Sequence, residues 1–518
     1  MVSKKVCVVG AGLSGLCTVK ELKEKGHQVT CFEASSSVGG SFSSDAKSSK
    51  VYDSLLLTVS NFFMAYSGFP IDVKEKRRYW SATEYLSYLD RYVEHFMLSE
   101  SILLNTMVQN IEKIENSYNV EVQTELGKVK SLQFDAVVIC TGTNRVPYMP
   151  EVLGAADFQG EILHTADYTE PSRFAGKRVV CVGAGESSAD IIHDIANVAD
   201  DCSVLMRSKP SIVARWINDE TNDAYTSLAF SALGRKGMNA FMRLKAKSLL
   251  LTKRKLSKKE KIQYQWQLDS PGFMNRFLTK NDVFLDDIAN GHLKAIKSEI
   301  KNITKDAVEL VDGTSIKADV IIFNTGYRQE FSIIDSIVQP SDFRDLYKHM
   351  FHPEIGESLA FIGWARPSQG GVPSISEMQA RYLAQLLSGE RTLPQGQALH
   401  VEINKDKDIE SKHFKDSPAL TSLVDYHDYM KSLSNLIGCR PKVNVLFAPR
   451  LTYKMIFGCH LSNFYRLNGP GENRKEAIKI IKGLPTASSL RRNTWIAILF
   501  LFFKLKPSKA QLQSGKVN

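Results

Sequence analysis

Twice in this chain a short apolar run rich in β-branched residues breaks into closely spaced glycines and then takes up a helical period. Val6–Val9 leads into Gly10, Gly12 and Gly15 and a helical pattern through Lys25. Arg178–Val182 leads into Gly183 and Gly185 and a helical pattern over Ser188–Val198. A further apolar run closes each unit, Val29–Glu33 in the first and Ser203–Met206 in the second. Strand, tight turn, helix and strand within about 30 residues return the second strand parallel to the first, through a right-handed crossover that covers one sheet face. The expectation is an α/β fold of two nested Rossmann-like, dinucleotide-binding units.

The glycines of the first unit have separate tasks. Gly10 permits the turn, Gly12 lets a pyrophosphate approach the backbone, and Gly15 lets helix and strand pack closely, while the helix N-terminus attracts phosphate. Ala11, Leu13 and Ser14 belong to the same phosphate-binding turn, and Glu33 at the end of the second strand suits a ribose diol. In the second unit Ser188 stands where the third glycine would be, and Ser187, Ala189 and Asp190 open the helix beside it. Its second strand leads to Arg207 rather than a carboxylate. An arginine fork pairs with a 2′-phosphate that a carboxylate would repel, so this unit is expected to take NADPH. The plain alternative for Arg207 is a surface cation at a strand end.

Two nucleotide sites in one chain imply electron transfer, from nicotinamide to flavin, so FAD is expected in the first unit. A disulfide reductase would need a redox cysteine pair. The eight cysteines fall singly, and Cys17 and Cys31 have neither the spacing nor a neighbour for that role. No cluster has metal-ligand spacing, and no metal is expected. At 518 residues, with 43% apolar and 24% charged residues, the chain has the composition of a large globular protein. The net charge of +10 is dispersed, apart from Lys253–Lys261 and the C-terminal tail, so no nucleic-acid partner is expected.

The order of segments suggests nesting. Residues 1–147 read as the first part of the FAD unit, 148–324 as the NADPH unit with a helical insertion at about 219–267, and 325–489 as the second part of the FAD unit. Val120–Gln123 and Ala136–Cys140 read as a hairpin leading to Thr141-Gly142, and Val308–Val311, an Asp312-Gly313 turn and Val320–Phe323 as one leading through Asn324 to Thr325-Gly326. In the tail, 490–518, the run Trp495–Phe503 is continuously apolar but about half the length of a spanning helix. Flanked by arginines and lysines, it is expected to anchor at a membrane interface, with a docked terminal helix or strand as the alternative.

Between the two units lies FQGEILHTADY, whose Phe158, Gly160, His164 and Tyr168 match the FxGxxxHxxxY pattern of the flavin-containing monooxygenase family. The resemblance runs along nearly the whole chain, through FEASSSVGG, SNFFMAYSGFP, KNDVFLDDIANG, NTGY, EMQARYLAQ and GCRPKVNVLFAPRL. It implies a class B flavoprotein monooxygenase that inserts one oxygen atom from molecular oxygen into an amine or sulfide, by way of a flavin hydroperoxide. It also implies a role for Asn61, flanked by Ser60 and Phe62, near the reactive edge of the flavin. Gly40, Ser41, Phe42, Thr141, Gly142, Thr325, Gly326 and Gln379 fall in segments that the resemblance places around the cofactors. His164 is assigned no proton-transfer role.

The resemblance extends to the apolar tail of animal members, implying the cytosolic face of the endoplasmic reticulum, with a cytoplasmic location as the alternative and homo-oligomers left open. The chain departs from many members at Ser41-Phe42 and at Asn324, which bears on substrate fit and on the flavin's surroundings. The rival enzyme is a Baeyer-Villiger monooxygenase, whose signature ends in tryptophan-proline where this chain has Tyr168-Thr169. The rival of another class is a degenerate, membrane-tethered flavoprotein serving as a redox or binding module.

Overall fold

A computed structural model describes residues 3–45, 51–52, 54–252, 255–270, 272–334, 336–338, 340, 342–414, 420–442, 446–484, 494, 496 and 498. Both glycine-bearing strands lie at the centre of a five-stranded parallel sheet. In the first sheet the spatial order is 359–361, 136–139, 5–9, 28–32 and 102–103, with Val6 opposite Ala136 and Val9 opposite Phe32. In the second it is 294–296, 201–205, 178–182, 320–323 and 161–164. Helices cover such sheets on both faces, which is why the central strands are apolar throughout: Val6, Cys7 and Val8 are fully buried, as is Val137–Ile139.

The first sheet is completed only after the chain has built the second. Its strand 136–139 is followed by all five strands of the other sheet before 359–361 returns to pair beside it. The outgoing segment Val146–Pro147 and the returning Tyr327–Arg328 pair antiparallel, so the two crossings between sheets are bonded to each other.

A three-stranded antiparallel sheet precedes the last-built strand in each unit up to residue 323, formed by 106–114, 117–124 and 129–134 in one and by 300–303, 307–310 and 315–317 in the other. The expected Asp312-Gly313 turn joins two of these strands, with Gly313 at φ 86°. Val120–Gln123 is the middle strand of its sheet rather than one arm of a simple hairpin.

The segment read as a helical insertion begins differently. Trp216–Ile217 pairs antiparallel with Glu220–Thr221 across Asn218 and Asp219, both at positive φ. Asn and Asp tolerate that conformation, and here it makes a hairpin. Helices follow at Leu228–Ser231, Gly234–Leu251 and Lys258–Asp269, the last opened by a capping box of Ser257 and Glu260.

Helix Val372–Leu387 packs along the first-unit helix Leu13–Glu24 and is buried all round, as a helix at the centre of a large protein must be. All eight cysteines are buried free thiols. The tail lies outside the described residues except for Thr494, Ile496 and Ile498, and Ile496 is buried against Val213, Phe230 and Met274. Among the described residues no helix is long and apolar enough to cross a membrane.

Candidate active site

The first glycine turn is packed so tightly that side chains are excluded. A Cβ on Gly15 would lie 1.8 Å from the Gly10 carbonyl oxygen, and one on Gly10 would meet the Cys140 carbonyl at 2.8 Å. Helix Leu13–Glu24 starts at Gly12 with no side-chain cap and no acidic residue in its first turn, leaving the N-terminal N–H groups of Leu13 and its neighbours for an anion. Gly39 donates to the Ala11 carbonyl, which brings Gly40 over Gly12, and a Cβ on either would fall 3.0 to 3.5 Å from the other's Cα.

Glu33 is buried and anchors this turn. Its Oε2 accepts from the Ala11 N–H at 2.6 Å, and its Oε1 accepts from the Ser35 N–H and hydroxyl. Oε2, with one donor, retains acceptor capacity for a ribose hydroxyl. These features fit a bound FAD pyrophosphate and ribose.

Around the turn, Ser14 shares a hydrogen bond with Ser376, and Phe42, beside Ser41, packs edge-on against Tyr85. Thr141 and Gly142 leave the strand beside Gly10, with Gly142 at φ 78°. Gln379 is buried, accepting from the Gly363 N–H and donating to the Tyr429 hydroxyl, so its side chain fastens the loop after strand 359–361 to the central helix.

The second turn repeats the arrangement with two changes. Gly183, at φ 98°, approaches the Asn324 carbonyl as Gly10 approaches that of Cys140. Asn324, where many relatives in the resembling family carry alanine, donates to the Gly183 carbonyl at 3.0 Å and so holds the turn. Ser188, in place of a third glycine, accepts the Gly185 N–H through its hydroxyl.

Ser187 and Ala189 lie in the first turns of helix Glu186–Ala196. Glu186 there would oppose a phosphate, but Lys280 sits 3.3 Å away and offsets its charge. Arg207 is exposed at the end of the following strand, with no ion-pair partner among the described residues. That arrangement fits NADPH. Asp190 is turned elsewhere: its carboxylate takes a two-pronged ion pair from Arg215 at 2.6 and 3.1 Å and a hydrogen bond from Asn281.

Ser60, Asn61 and Phe62 are all buried. The stretch before Asn61 runs antiparallel to 76–81, with Asn61 N–H donating to the Arg78 carbonyl. The Asn61 carbonyl oxygen Oδ1 accepts from the N–H groups of Phe62 and Arg78, and its amide Nδ2 donates to the Lys76 carbonyl at 3.2 Å. A second Nδ2 hydrogen remains for a ligand.

Sequence reasoning did not find Asp223, Arg215 or Arg77. Asp223 is almost fully buried, accepts the Ser60 N–H and is held by Thr221. Tyr79 donates its hydroxyl hydrogen to the Arg215 carbonyl at 2.6 Å, and burial pushes that phenol well above its ordinary range. Arg215 therefore joins the segment beside Asn61 to Asp190 on the second-unit helix. The only advance signal was the hydrophilic stretch Lys74–Arg78 running into Tyr79-Trp80, which says nothing about partners more than a hundred residues away.

His164 is a strut between the units. Its Nδ1 accepts from the Ala166 N–H, which leaves Nε2 as the donor to the Gly326 carbonyl at 2.9 Å. Gly326 also accepts from the Tyr148 N–H, and the Thr325 hydroxyl donates to the Tyr148 carbonyl. A separate cleft of about 640 Å³ is lined by Lys209, Lys255, Lys261, Gln265 and Trp266. None of these residues belongs to either glycine turn or to the Asn61 segment.

A sequence model of the family described as flavin-binding monooxygenase-like matches residues 3–484. The chain is 36% identical over 497 residues to a 4-hydroxybenzoate brominase (decarboxylating) of Marinomonas mediterranea, covering 94% of each. It is 30% identical over 529 residues to flavin-containing monooxygenase 5 of Cavia porcellus, covering 96% of each. Its fold is similar to that of S-allyl-L-cysteine S-oxygenase from Allium sativum, with a TM-score of 0.61 at 23% identity over 98% of this chain and 99% of the other.

Proposed function

Because this chain belongs to the flavin-binding monooxygenase-like family, we propose that it transfers one atom of molecular oxygen to a soft nucleophile, an amine nitrogen or a sulfide sulfur. It is an oxidoreductase that works with FAD and NADPH. The observation that carries the oxygen-transfer reading is Asn61, a buried neutral amide whose contacts are all to backbone and which retains one N–H for a ligand. Such a group holds a polar oxygen species without offering it a titrating proton.

Bound FAD, reduced by NADPH, supplies the activation of oxygen. The protein binds, orients and shields. The uncapped helix at Gly12 and the Gly12–Gly40 approach hold the flavin's pyrophosphate, and Glu33 holds its ribose. Arg207 selects the 2′-phosphate of NADPH. Asn61 is fixed from one side by residues 76–78 and from the other by Asp223 on Ser60. Phe62, Phe63 and Tyr85, all buried, keep water from the same region. For a sulfide the balance is NADPH, a proton, oxygen and sulfide giving NADP, sulfoxide and water.

A second reading has a specific observation behind it. The guanidinium of Arg77 is buried beside Phe62 without a hydrogen-bond partner among the described residues, and the bacterial relative is named a brominase. In that reading bromide is the nucleophile, and NADPH, two protons, oxygen and bromide give NADP, hypobromous acid and water. An electron-rich arene then takes the bromine. We also assign the tail, 490–518, to interfacial anchoring on the cytosolic face of the endoplasmic reticulum.

The test is NADPH consumption by the purified yellow protein with a tertiary amine, a sulfide, a ketone or bromide plus a phenol. An amine or sulfide that converts peroxide-forming turnover into oxygenated product supports the first reading, and a brominated phenol supports the second. Ester formation from the ketone alone would favour Baeyer-Villiger chemistry. Colourless protein would leave the degenerate flavoprotein.

A further inference from the structure

Arg77 lies in the extended segment that fixes Asn61, since Lys76 and Arg78 on either side of it take the hydrogen bonds of the Asn61 side chain and backbone. The residue is 6% exposed, and none of its three guanidinium nitrogens has a hydrogen-bond partner among the described residues. Its charge centre lies 5.5 Å from the centroid of the Phe62 ring. The nearest carboxylate oxygen, on Glu220, is 3.8 Å away, beyond hydrogen-bonding range, on a side chain 31% exposed. Asp223, the other acid of this region, already accepts from the Ser60 N–H and the Thr221 hydroxyl. The fully buried hydroxyl oxygen of Ser60, next to Asn61, also lacks a partner among the described residues.

A guanidinium carries five N–H donors and stays charged at any ordinary pH. Burying one with every donor idle is costly, so such a group calls for a ligand, ion or water to complete it. A halide ion or a carboxylate completes a planar fork of this kind, and a cation–π contact to Phe62 leaves the rim of the guanidinium free to donate. The Cys459 thiol is pushed up to about 12 by burial against the pull of the Arg77 charge.

We propose that Arg77 is a small-anion site beside Phe62, next in sequence to Asn61, taking a halide ion or the carboxylate of the acceptor molecule. This rests on the oxygen-transfer reading only for what the anion is for, because a halide would be the atom oxidised and a carboxylate would orient an acceptor. Binding itself needs no turnover, so it is measured on the oxidised, FAD-loaded full-length protein without NADPH.

Isothermal titration with sodium bromide and, separately, with sodium benzoate, each against sodium sulfate of equal ionic strength, gives the affinity. Saturable binding of either probe that weakens tenfold or more in Arg77→Met and less in Arg77→Lys supports the site. Bromide alone identifies a halide, and benzoate alone a substrate carboxylate. Equal affinity in wild type and Arg77→Met, or no saturable binding of either probe, overturns the proposal. Glu220→Gln keeps the test open if Arg77→Met does not fold: removing the nearest carboxylate tightens anion binding several-fold, and an unchanged affinity counts against the site. Failure of oxygen transfer with every acceptor, alongside normal bromide binding, would refute the functional reading and leave the site standing.

Discussion

Asn61 is held by three hydrogen bonds to backbone, and that rigidity is what the proposed chemistry asks of it. In Asn61→Ser a single hydroxyl cannot satisfy the Phe62 and Arg78 N–H groups and the Lys76 carbonyl together. At least one buried backbone group is orphaned, at about 1–3 kcal/mol. The expected outcome is normal FAD content with a several-fold larger share of NADPH appearing as hydrogen peroxide. Peroxide assay beside NADPH oxidation reads this directly, and unchanged coupling would remove Asn61 from the mechanism. Arg77, Arg215 and Asp223 surround the same segment yet left no mark in local sequence. The Ser60–Asp223 bond joins residues 163 positions apart, and an isolated arginine or aspartate does not announce such a partner. Glu33 was legible because it closes a short unit whose geometry the glycines dictate.

At the level of elements, helix Tyr426–Ile437 packs against the segment Cys459–Arg466 through a pair of buried histidines. The ring centroids of His427 and His460 are 5.1 Å apart. Burial pushes His427 down to about 4, opposed in part by Asp425, and holds His460 well below its ordinary value. Both are neutral in the folded protein, whereas the unfolded chain protonates them near pH 6.5. Their contribution is present above about pH 6.5 and is lost as pH falls toward 4, by about 3 kcal/mol for His427 alone. His193, raised by its hydrogen bond to Asp287, works in the opposite direction. Urea unfolding of wild type at about pH 7 and pH 5 should show this loss, and His427→Gln should show a smaller one. An identical pH dependence in the variant would contradict the assignment.

The same scale shows what periodicity could and could not convey. Parallel strands such as Val137–Ile139 are apolar on both faces, so they stood out. The hairpin at Trp216–Thr221 did not, because its strands are two residues long and its turn is made by Asn218 and Asp219 rather than by glycine.

For the whole molecule, two parallel sheets are linked by paired crossings at 146–147 and 327–328 and by the Asp190–Arg215–Tyr79 connection. This arrangement ties the two glycine-turn units together, and in the proposed reading the preference for NADPH rests on one exposed cation, Arg207. Arg207→Ala removes charge-assisted bonds worth about 1.5–3 kcal/mol, so kcat/KM for NADPH should fall about 10- to 100-fold. The value for NADH should change by less than about twofold. Equal losses with both nucleotides would place the 2′-phosphate elsewhere. The nested order of the sheets was legible from the repeated glycine turns and the two Thr-Gly ends, since each repeats one physical solution. The identity of the acceptor was not, because Asn61, Arg77 and Asp223 meet only through tertiary packing.

Transfer of an oxygen atom from O₂ to an acceptor is measured by turnover with NADPH, a sulfide and isotopically labelled ¹⁸O₂, followed by mass spectrometry of the product. The expected product is sulfoxide carrying ¹⁸O in proportion to the NADPH consumed, with the second labelled atom in water. Sulfoxide oxygen drawn from solvent, or NADPH oxidation ending only in hydrogen peroxide, would contradict that transfer.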